Sequence, residues 1–214
     1  LTLGLLGRAA AAPPAPGAGW AVPFHKGVVY SSWDGSYPHA AAWRAHLDEF
    51  KAWGVEWIEV MTFAHQPAVD GPQIEVMPAA RWPTAFVTEA RRGGFKILLK
   101  PHVWSRQFYD GSKRWRGSIR MDDPAEWAAW FRQYERFIVR EAQQAARHGV
   151  ELFSVGLEYV HATKPAHSAQ WRALIQKVRR VYPGQLTYAA DGNHELGHVD
   201  FWDALDVIGV DAYF

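Results

Sequence analysis

The sequence contains no cysteine. This absence excludes a disulfide framework, a thiol nucleophile and a metal site built on thiolates. An excess of charge of one sign is also lacking, because 23 basic and 22 acidic residues leave a formal net charge of +1. A surface that binds nucleic acid or an acidic membrane needs a clear basic excess. We therefore expect neither of these as a partner.

No apolar run after the N-terminal segment is long enough to span a bilayer. Residues 1–24 begin without methionine and join a short apolar stretch to a spacer rich in alanine and proline. This pattern is typical of the end of a signal peptide followed by a flexible spacer. We predict the remnant of an export leader in residues 1–24, a secreted or periplasmic protein, and a single domain over residues 25–214. A disordered N-terminal extension is the alternative.

Aromatic residues are abundant, with 12 Trp, 8 Tyr and 11 Phe. Their flat faces suit the apolar faces of sugar rings, although most tryptophans of a folded domain lie in its core. Five tryptophans lie at helical spacing and are expected to pack helices against the sheet, namely Trp43, Trp53, Trp127, Trp130 and Trp171.

From residue 25 onward, short β-rich runs alternate with helical patterns, which is typical of a parallel sheet with crossover helices. The predicted strands are 27–31, 57–62, 95–100, 151–155, 185–190 and 207–213, and the predicted helices are about 38–53, 83–92, 124–148 and 168–181. Pro101 should close the third strand because it has no N–H to donate. Asp123 and Pro124 should begin the third helix.

The order of these elements predicts an α/β fold. Six strand-then-helix units, without a glycine-rich phosphate turn after the first strand, favour a (β/α)8 TIM barrel over a dinucleotide-binding sheet. A closed barrel needs eight units. We therefore expect an incomplete barrel of about six β/α units, lacking strands seven and eight. An open doubly wound sheet of six strands is the alternative.

Glu158 directly follows the predicted fourth strand, at the end where barrels carry their chemistry. Polar and aromatic residues stand at the other strand ends: Trp33, Asp34, Lys100, His102, Trp104, Asp191, Asn193, Asp211 and Tyr213. An acid, hydroxyl-binding groups and aromatic platforms are what a glycoside cleft requires. The alternative for Glu158 is a structural strand-end carboxylate held by a neighbouring arginine or by a backbone donor.

Two other patterns have simpler interpretations. Residues 194–198 read H-E-L-G-H, the zinc-protease pattern, which needs a continuous helix. Loop residues precede it and Gly197 lies within it, so a polar loop is expected and a zinc hydrolase using His194 and His198 is a minor alternative. The basic run of Arg114, Trp115, Arg116 and Arg120 is expected to form a solvated loop.

Four stretches, at residues 100–104, 155–158, 186–190 and 201–214, resemble glycoside hydrolase family 113 in the same order, and the likeness covers nearly all of residues 27–214. The resemblance implies a (β/α)8 barrel of a retaining clan whose members are mainly endo-β-1,4-mannanases. It implies that Glu158 is the general acid/base and that no cofactor is needed. It also implies that the nucleophile is a glutamate ending the seventh strand, which this chain does not contain.

The chain departs from the wider clan at Leu157, where asparagine usually binds a sugar hydroxyl, so that donor must come from elsewhere, such as His102 or Asn193. A retaining mechanism needs two carboxyl groups about 5–5.5 Å apart, so the chain alone should be inactive. Asp34, Asp191 or Asp211 could serve an inverting mechanism, but Asp211 is expected rather to orient a neighbour.

We thus predict a monomeric glycoside hydrolase that acts on an oligo- or polysaccharide, with β-mannan as the preferred substrate. Its catalytic residue is Glu158, and it uses no metal. Its predicted sugar-binding residues are Trp33, His102, Trp104, Asn193, Asp211 and Tyr213. A non-catalytic carbohydrate-binding barrel is the principal alternative.

Overall fold

A computed structural model describes residues 25–31, 37, 40–78 and 82–213. The predicted export leader lies outside these residues and stays a prediction. Trp33 and Asp34 also lie outside the described residues. Within the described part, no helix is both long and apolar enough to cross a membrane.

The described residues form one sheet with helices between its strands. The strands are β1 (Gly27–Tyr30), β2 (Trp57–His65), β3 (Glu75–Val76), β4 (Lys96–Trp104), β5 (Leu152–Leu157), β6 (Gln185–Asp191) and β7 (Val207–Asp211). The α-helices are α1 (Ala40–Ala52), α2 (Thr84–Arg92), α3 (Pro124–Arg147) and α4 (Ser168–Val181). Short 3₁₀ helices cover Arg116–Ser118, Pro165–His167 and Trp202–Ala204.

The strand order is β1-β2-β4-β5-β6-β7, with all neighbours parallel, while the short β3 pairs antiparallel with β2. Strands that follow one another in sequence therefore lie side by side, without the reversal point of a doubly wound sheet. The sheet curls into a half-barrel with its helices. The prediction of an incomplete (β/α) barrel is confirmed, and the doubly wound alternative is wrong. The short strand β3 was not predicted from the sequence.

The prediction that Pro101 closes its strand is wrong, since β4 continues to Trp104. Residues of β4 present their backbone groups alternately to β2 and β5. The Ile97 carbonyl accepts from Glu151 N–H on the β5 side, and Val103 N–H donates to the Tyr159 hydroxyl on that side. Pro101 has the same parity and so faces β5, where backbone pairing stops at Leu99. A strand tolerates proline where no ladder partner needs its N–H.

The helix boundaries agree with the predicted ones to within a few residues. The side chain of Asp123 caps α3 by accepting the N–H of Ala125 at 2.6 Å, and Pro124 is the first helical residue. After the helix, Gly149 adopts a φ of 64°, a left-handed conformation that glycine tolerates best. Capping at both ends therefore fixes where this longest helix starts and stops.

Aromatic side chains fill the space between the helices and the sheet. Trp130 stacks on Tyr134 with ring centroids 4.8 Å apart, and Trp171 of α4 meets Tyr188 of β6 edge-on. Their polar tips are bound as well, because the Tyr134 hydroxyl donates to Val155 C=O at 2.9 Å. Trp43, Trp127, Trp130 and Trp171 are buried, as predicted. Trp53 is 67% exposed, because α1 ends one residue before it.

The outer strands β1 and β7 leave the sheet with two open edges within the described residues. Val29 on β1 is 58% exposed, and Ile208 and Val210 on β7 are exposed as well. Open edges with apolar side chains favour association with further strands.

Gly156 allows β5 to approach the aromatic layer closely, and we predict that replacing it destabilises the protein. A Cβ at this position would lie 2.7 Å from Tyr188 and 2.8 Å from Trp171. Gly156→Ala should lower the free energy of unfolding by about 1–3 kcal/mol through overpacking, as measured by chemical denaturation. Gly197→Ala is the control, since a Cβ there has no neighbour within 4 Å. Equal midpoints for the two variants would contradict the prediction.

Candidate active site

Glu158 stands directly after β5, at the C-terminal end of the strand, as predicted. Its φ of 51° is a left-handed conformation that costs a non-glycine residue roughly 1–2 kcal/mol. Two hydrogen bonds hold the backbone there. The N–H of Glu158 donates to Ala189 C=O at 2.9 Å, and the N–H of Tyr159 donates to the Tyr188 hydroxyl at 2.9 Å. The neighbouring strand β6 therefore imposes the strained conformation.

Arg116 binds the carboxylate of Glu158. Its Nη2 and Nε lie 2.6 Å and 3.2 Å from Oε2 of Glu158. Glu158 itself is only 3% exposed. The expectation of a solvated loop is wrong for Arg116, because its short 3₁₀ helix places the side chain inward with 12% exposure. A charged run in a loop carries no sequence signal for such a distant pair.

Close to this pair, Lys100 of β4 lies between two more carboxylates. Its Nζ is 3.3 Å from Glu59 Oε1 of β2 and 3.2 Å from Asp211 Oδ1 of β7. We call Glu59, Lys100, Arg116, Glu158 and Asp211 the interior charge cluster. When all five groups are ionised, three carboxylates and two cations leave one net negative charge. Side chains from three strands, one 3₁₀ helix and the residue after β5 thus meet inside the curled sheet.

The pKa values of two acids in the cluster are raised. Burial raises the pKa of Glu158, the Arg116 guanidinium lowers it, the nearby Asp211 carboxylate raises it again, and the result is a raised pKa. Burial likewise raises the pKa of Glu59, although Lys100 opposes this shift. Burial lowers the pKa of Lys100, but Glu59 and Asp211 outweigh it and leave the pKa raised. An acid that stays protonated to a higher pH than usual can act as a general acid.

His102 lies next to the cluster and is 4% exposed. Neither of its ring nitrogens has a hydrogen-bond partner among the described residues, and its ring packs 5.5 Å from that of Phe63. Burial lowers its pKa well below the usual range, and the charges of Arg116 and Lys100 add to this effect. A neutral imidazole with two unpaired nitrogens can both donate a hydrogen bond to a sugar hydroxyl and accept one from it.

The other predicted sugar-binding residues differ in their placement. Tyr213 is 75% exposed as a residue. The pKa of its hydroxyl is nevertheless raised by partial burial and by the charges of Asp211 and Glu158. The hydroxyl therefore lies near the cluster. Trp104 packs on Phe63 and lines a cavity of about 470 Å³ that does not include Glu158. Asn193 lies exposed in the turn after β6, and the described structure does not bring it to Glu158.

A second crevice, of about 540 Å³, lies beside the residues that follow Glu158. Val160, His161, Trp115 and His194 contribute to its lining, and the Trp115 and His194 rings are 6.0 Å apart. Aromatic and polar groups next to an acid can receive a sugar ring.

Residues 192–198, which contain the H-E-L-G-H pattern, form turns, as expected for a polar loop and not for a zinc-binding helix. His194 Nδ1 lies 2.8 Å from Asp191 Oδ1, whereas His198 Nε2 lies 3.2 Å from Thr163 Oγ1. The two histidines therefore have different partners. Over the described ranges no three histidine or carboxylate side chains come together as a metal site.

Glu195 of that pattern is a buried acid, which the sequence pattern did not predict. It is 1% exposed and accepts hydrogen bonds from the Tyr188 hydroxyl, from Thr163 Oγ1 at 2.7 Å and from Asp191 N–H at 2.9 Å. Burial raises its pKa to about 7 in spite of these donors, and the charge of Glu158 contributes. Glu59 was missed too, although a charge within the apolar run of residues 57–62 is a usable signal for an inward functional group.

Comparison with known proteins agrees with the observed fold. A model of glycoside hydrolase family 113 matches residues 28–214. A GH113 β-mannanase from Alicyclobacillus acidocaldarius, solved in complex with ManMIm, is 30% identical with a TM-score of 0.77, and the match covers 89% of this chain and 62% of that one. A GH113 β-1,4-mannanase, solved as a complex, is 30% identical with a TM-score of 0.75, covering 89% and 63%.

The chain therefore spans less than two thirds of the length of these mannanases. A β-glucuronidase from Ruminococcus gnavus in complex with D-glucaro 1,5-lactone is 13% identical with a TM-score of 0.57, over 83% of this chain and 26% of that one. That likeness shows a shared fold alone. Among curated proteins none matches the chain.

We predict that Arg116→Met raises the pKa of Glu158 further, because it removes the cation that favours the ionised carboxylate. The titration of the Glu158 side-chain carbon by NMR measures this pKa. Arg114→Met is the matched control, since the Arg114 guanidinium binds Ser112 in the same loop. If both variants left the titration of Glu158 unchanged, the assigned pair would be wrong.

Glu195 should make stability depend on pH. Its folded pKa of about 7 exceeds the ordinary 4.5, so the folded state holds this proton more tightly than the unfolded chain. Its contribution to stability is fully present below about pH 4.5 and is lost as the pH rises to about 7, by an amount on the order of 3 kcal/mol. Denaturation of wild type and Glu195→Gln across this range measures the difference. A pH-independent difference would refute the assignment.

Proposed function

The chain belongs to glycoside hydrolase family 113, and on that basis we propose that it takes part in the hydrolysis of β-1,4-mannosidic linkages with Glu158 as the acid/base. The observation that carries this proposal is the position of Glu158 at the C-terminal end of β5, with a raised pKa and further charged groups around it. The GH113 mannanases at 30% identity support mannan as the substrate.

In the proposed reaction Glu158 first donates its proton to the leaving glycosidic oxygen, which its raised pKa favours. In the second step the ionised Glu158 takes a proton from the attacking water. Arg116 stabilises that ionised form, so the pair suits the base half of the cycle, while burial and Asp211 suit the acid half. Because burial and Asp211 raise the pKa of Glu158 while Arg116 lowers it, the same carboxyl group can serve as the acid in one step and as the base in the other.

A retaining mechanism also needs a second carboxyl group about 5–5.5 Å from the first. Asp211 is the neighbouring acid, but Lys100 contacts both of its oxygens, at 3.2 Å and 3.3 Å, which suits an orienting group better than a nucleophile. We propose that the nucleophile is a glutamate at the end of the seventh barrel strand. This strand would follow β7, because the short antiparallel β3 is not counted as a barrel strand. Its position lies outside this sequence. The chain by itself is then inactive.

Several neighbours of the cluster are proposed to bind the sugar. His102 can exchange hydrogen bonds with a ring hydroxyl, and Tyr213 can cover the ring from the solvent side. Trp115, in the crevice beside the residues after Glu158, is proposed to contact the leaving-group sugar, since the acid must face that group. The roles of Trp33, Trp104 and Asn193, the export of the protein and its monomeric state stay predictions from the sequence.

One observation favours a second function. The buried ion pair between Arg116 and Glu158 stabilises an ionised carboxylate that cannot donate a proton. A barrel that binds carbohydrate without cleaving it would keep the aromatic groups and this pair. Substitution of Glu158 separates the two functions.

We predict that Glu158→Gln, in the protein encoded by the complete gene, lowers the hydrolysis of β-1,4-mannan by about 10²–10⁴-fold. The release of reducing sugar measures the rate. An aryl glycoside whose leaving group needs no proton should show a smaller loss in its first step. Glu56→Gln is the control, because Glu56 is exposed and precedes β2 at the opposite end of the sheet.

Undiminished turnover of mannan by Glu158→Gln would refute Glu158 as the acid/base, whereas binding of mannan without any turnover by the wild-type complete protein would leave only the binding function. In the same assay, clear turnover by the chain of residues 1–214 would refute its proposed inactivity.

A further inference from the structure

The buried Glu195 is connected to the backbone of Glu158 by a continuous path of hydrogen bonds. Its Oε1 accepts from the Tyr188 hydroxyl, and the oxygen of that hydroxyl accepts the N–H of Tyr159, the residue after Glu158, at 2.9 Å. Tyr188 and Tyr159 are fully buried. No water is needed to complete this path.

The direction of every bond in the path is determined. The Tyr188 hydroxyl has one proton, and since its oxygen already accepts from a backbone N–H, that proton must point to an acceptor, which is Glu195. The other oxygen of Glu195 accepts the backbone N–H of Asp191 at 2.9 Å. A side-chain amide has only one acceptor oxygen, so Glu195→Gln would set an NH2 group against at least one of these donors.

The path ends where the backbone is strained. Glu158 has a φ of 51°. Its own N–H donates to Ala189 C=O, and the N–H of the next residue, Tyr159, donates to the Tyr188 hydroxyl. A left-handed non-glycine residue persists when its surroundings over-determine it. Removing the hydroxyl of Tyr188 would leave the N–H of Tyr159 without its acceptor and relax one side of this restraint.

We propose that Glu195 is a positioning residue, which acts through the Tyr188 hydroxyl to hold Glu158 in the conformation that presents its carboxyl to Arg116 and Asp211. Its consequence for catalysis rests on the proposed function of Glu158, but its effect on the Glu158 carboxyl does not. The glutamate of the H-E-L-G-H pattern thereby acquires a role within the sugar-cleaving site.

Tyr188→Phe tests the proposal because it keeps the packed ring and removes only the hydroxyl. The matched control is Tyr182→Phe, since Tyr182 is also buried and its hydroxyl donates to Val150 C=O at 2.9 Å, just before β5. In the chain of residues 1–214, Tyr188→Phe should raise the pKa of Glu158 by about one unit, since the relaxed carboxyl loses Arg116, whereas Tyr182→Phe should change it by less than about 0.2. NMR titration, assigned through Glu158→Gln, measures both.

In the protein from the complete gene, Tyr188→Phe and Glu195→Gln should each lower kcat on mannan by about ten- to a hundredfold with little change in KM, because a misplaced catalytic group loses rate rather than substrate binding. Tyr182→Phe should retain the wild-type kcat. If Tyr188→Phe does not fold, Glu195→Gln provides the same kinetic comparison.

The outcomes separate this proposal from the proposed function. An unchanged or lowered pKa of Glu158 in folded Tyr188→Phe overturns the positioning role. A raised pKa supports it even if Glu158→Gln proves fully active, in which case the proposed function alone fails. Loss of kcat in Glu158→Gln together with wild-type kcat in both Tyr188→Phe and Glu195→Gln overturns the positioning role and leaves the proposed function intact.

Discussion

The site depends on one electrostatic constraint, which is that three carboxylates share a buried space with only two cations. Ionised groups out of water are stable only when each has a partner of opposite charge or a hydrogen bond. Arg116 satisfies Glu158, and Lys100 satisfies Glu59 and Asp211 together. Burial raises the pKa of Glu158 and of Glu59, and the neighbouring Asp211 carboxylate raises both further, against the effect of the two cations.

The geometry that creates this constraint comes from parallel strands in sequential order. Side chains of β2, β4 and β7 that alternate toward one face meet inside the curl, while the opposite face packs on helices through large aromatic rings. The rings also restrain polar backbone, as the hydroxyls of Tyr134 and Tyr188 bind groups on either side of Glu158. The same layer of side chains therefore packs the helices on the sheet and restrains the backbone around Glu158.

Local patterns predicted most of the fold. Apolar periodicity, Asp123 with Pro124, and Gly149 are signals within a few neighbouring residues, and the observed helices agree with them. The errors arose where the outcome depends on distant partners. Pro101 is tolerated because β5 pairs only with part of β4, and Trp53 is exposed because its helix ends before it. Arg116 turns inward toward a carboxylate more than forty residues away in sequence. Glu158 could be found because a strand end is a local signal, whereas its restraint by Glu195 could not.

Lys100 contacts acids on β2 and β7, two strands that are not neighbours in the sheet. Its loss by substitution would leave Glu59 and Asp211 without the cation that they share, and removing one of these acids would still leave the other without its partner. A replacement of this lysine during evolution therefore requires changes at both Glu59 and Asp211. Among related sequences these three positions should vary together or not at all, and such covariation would trace the ion triad without any further structure.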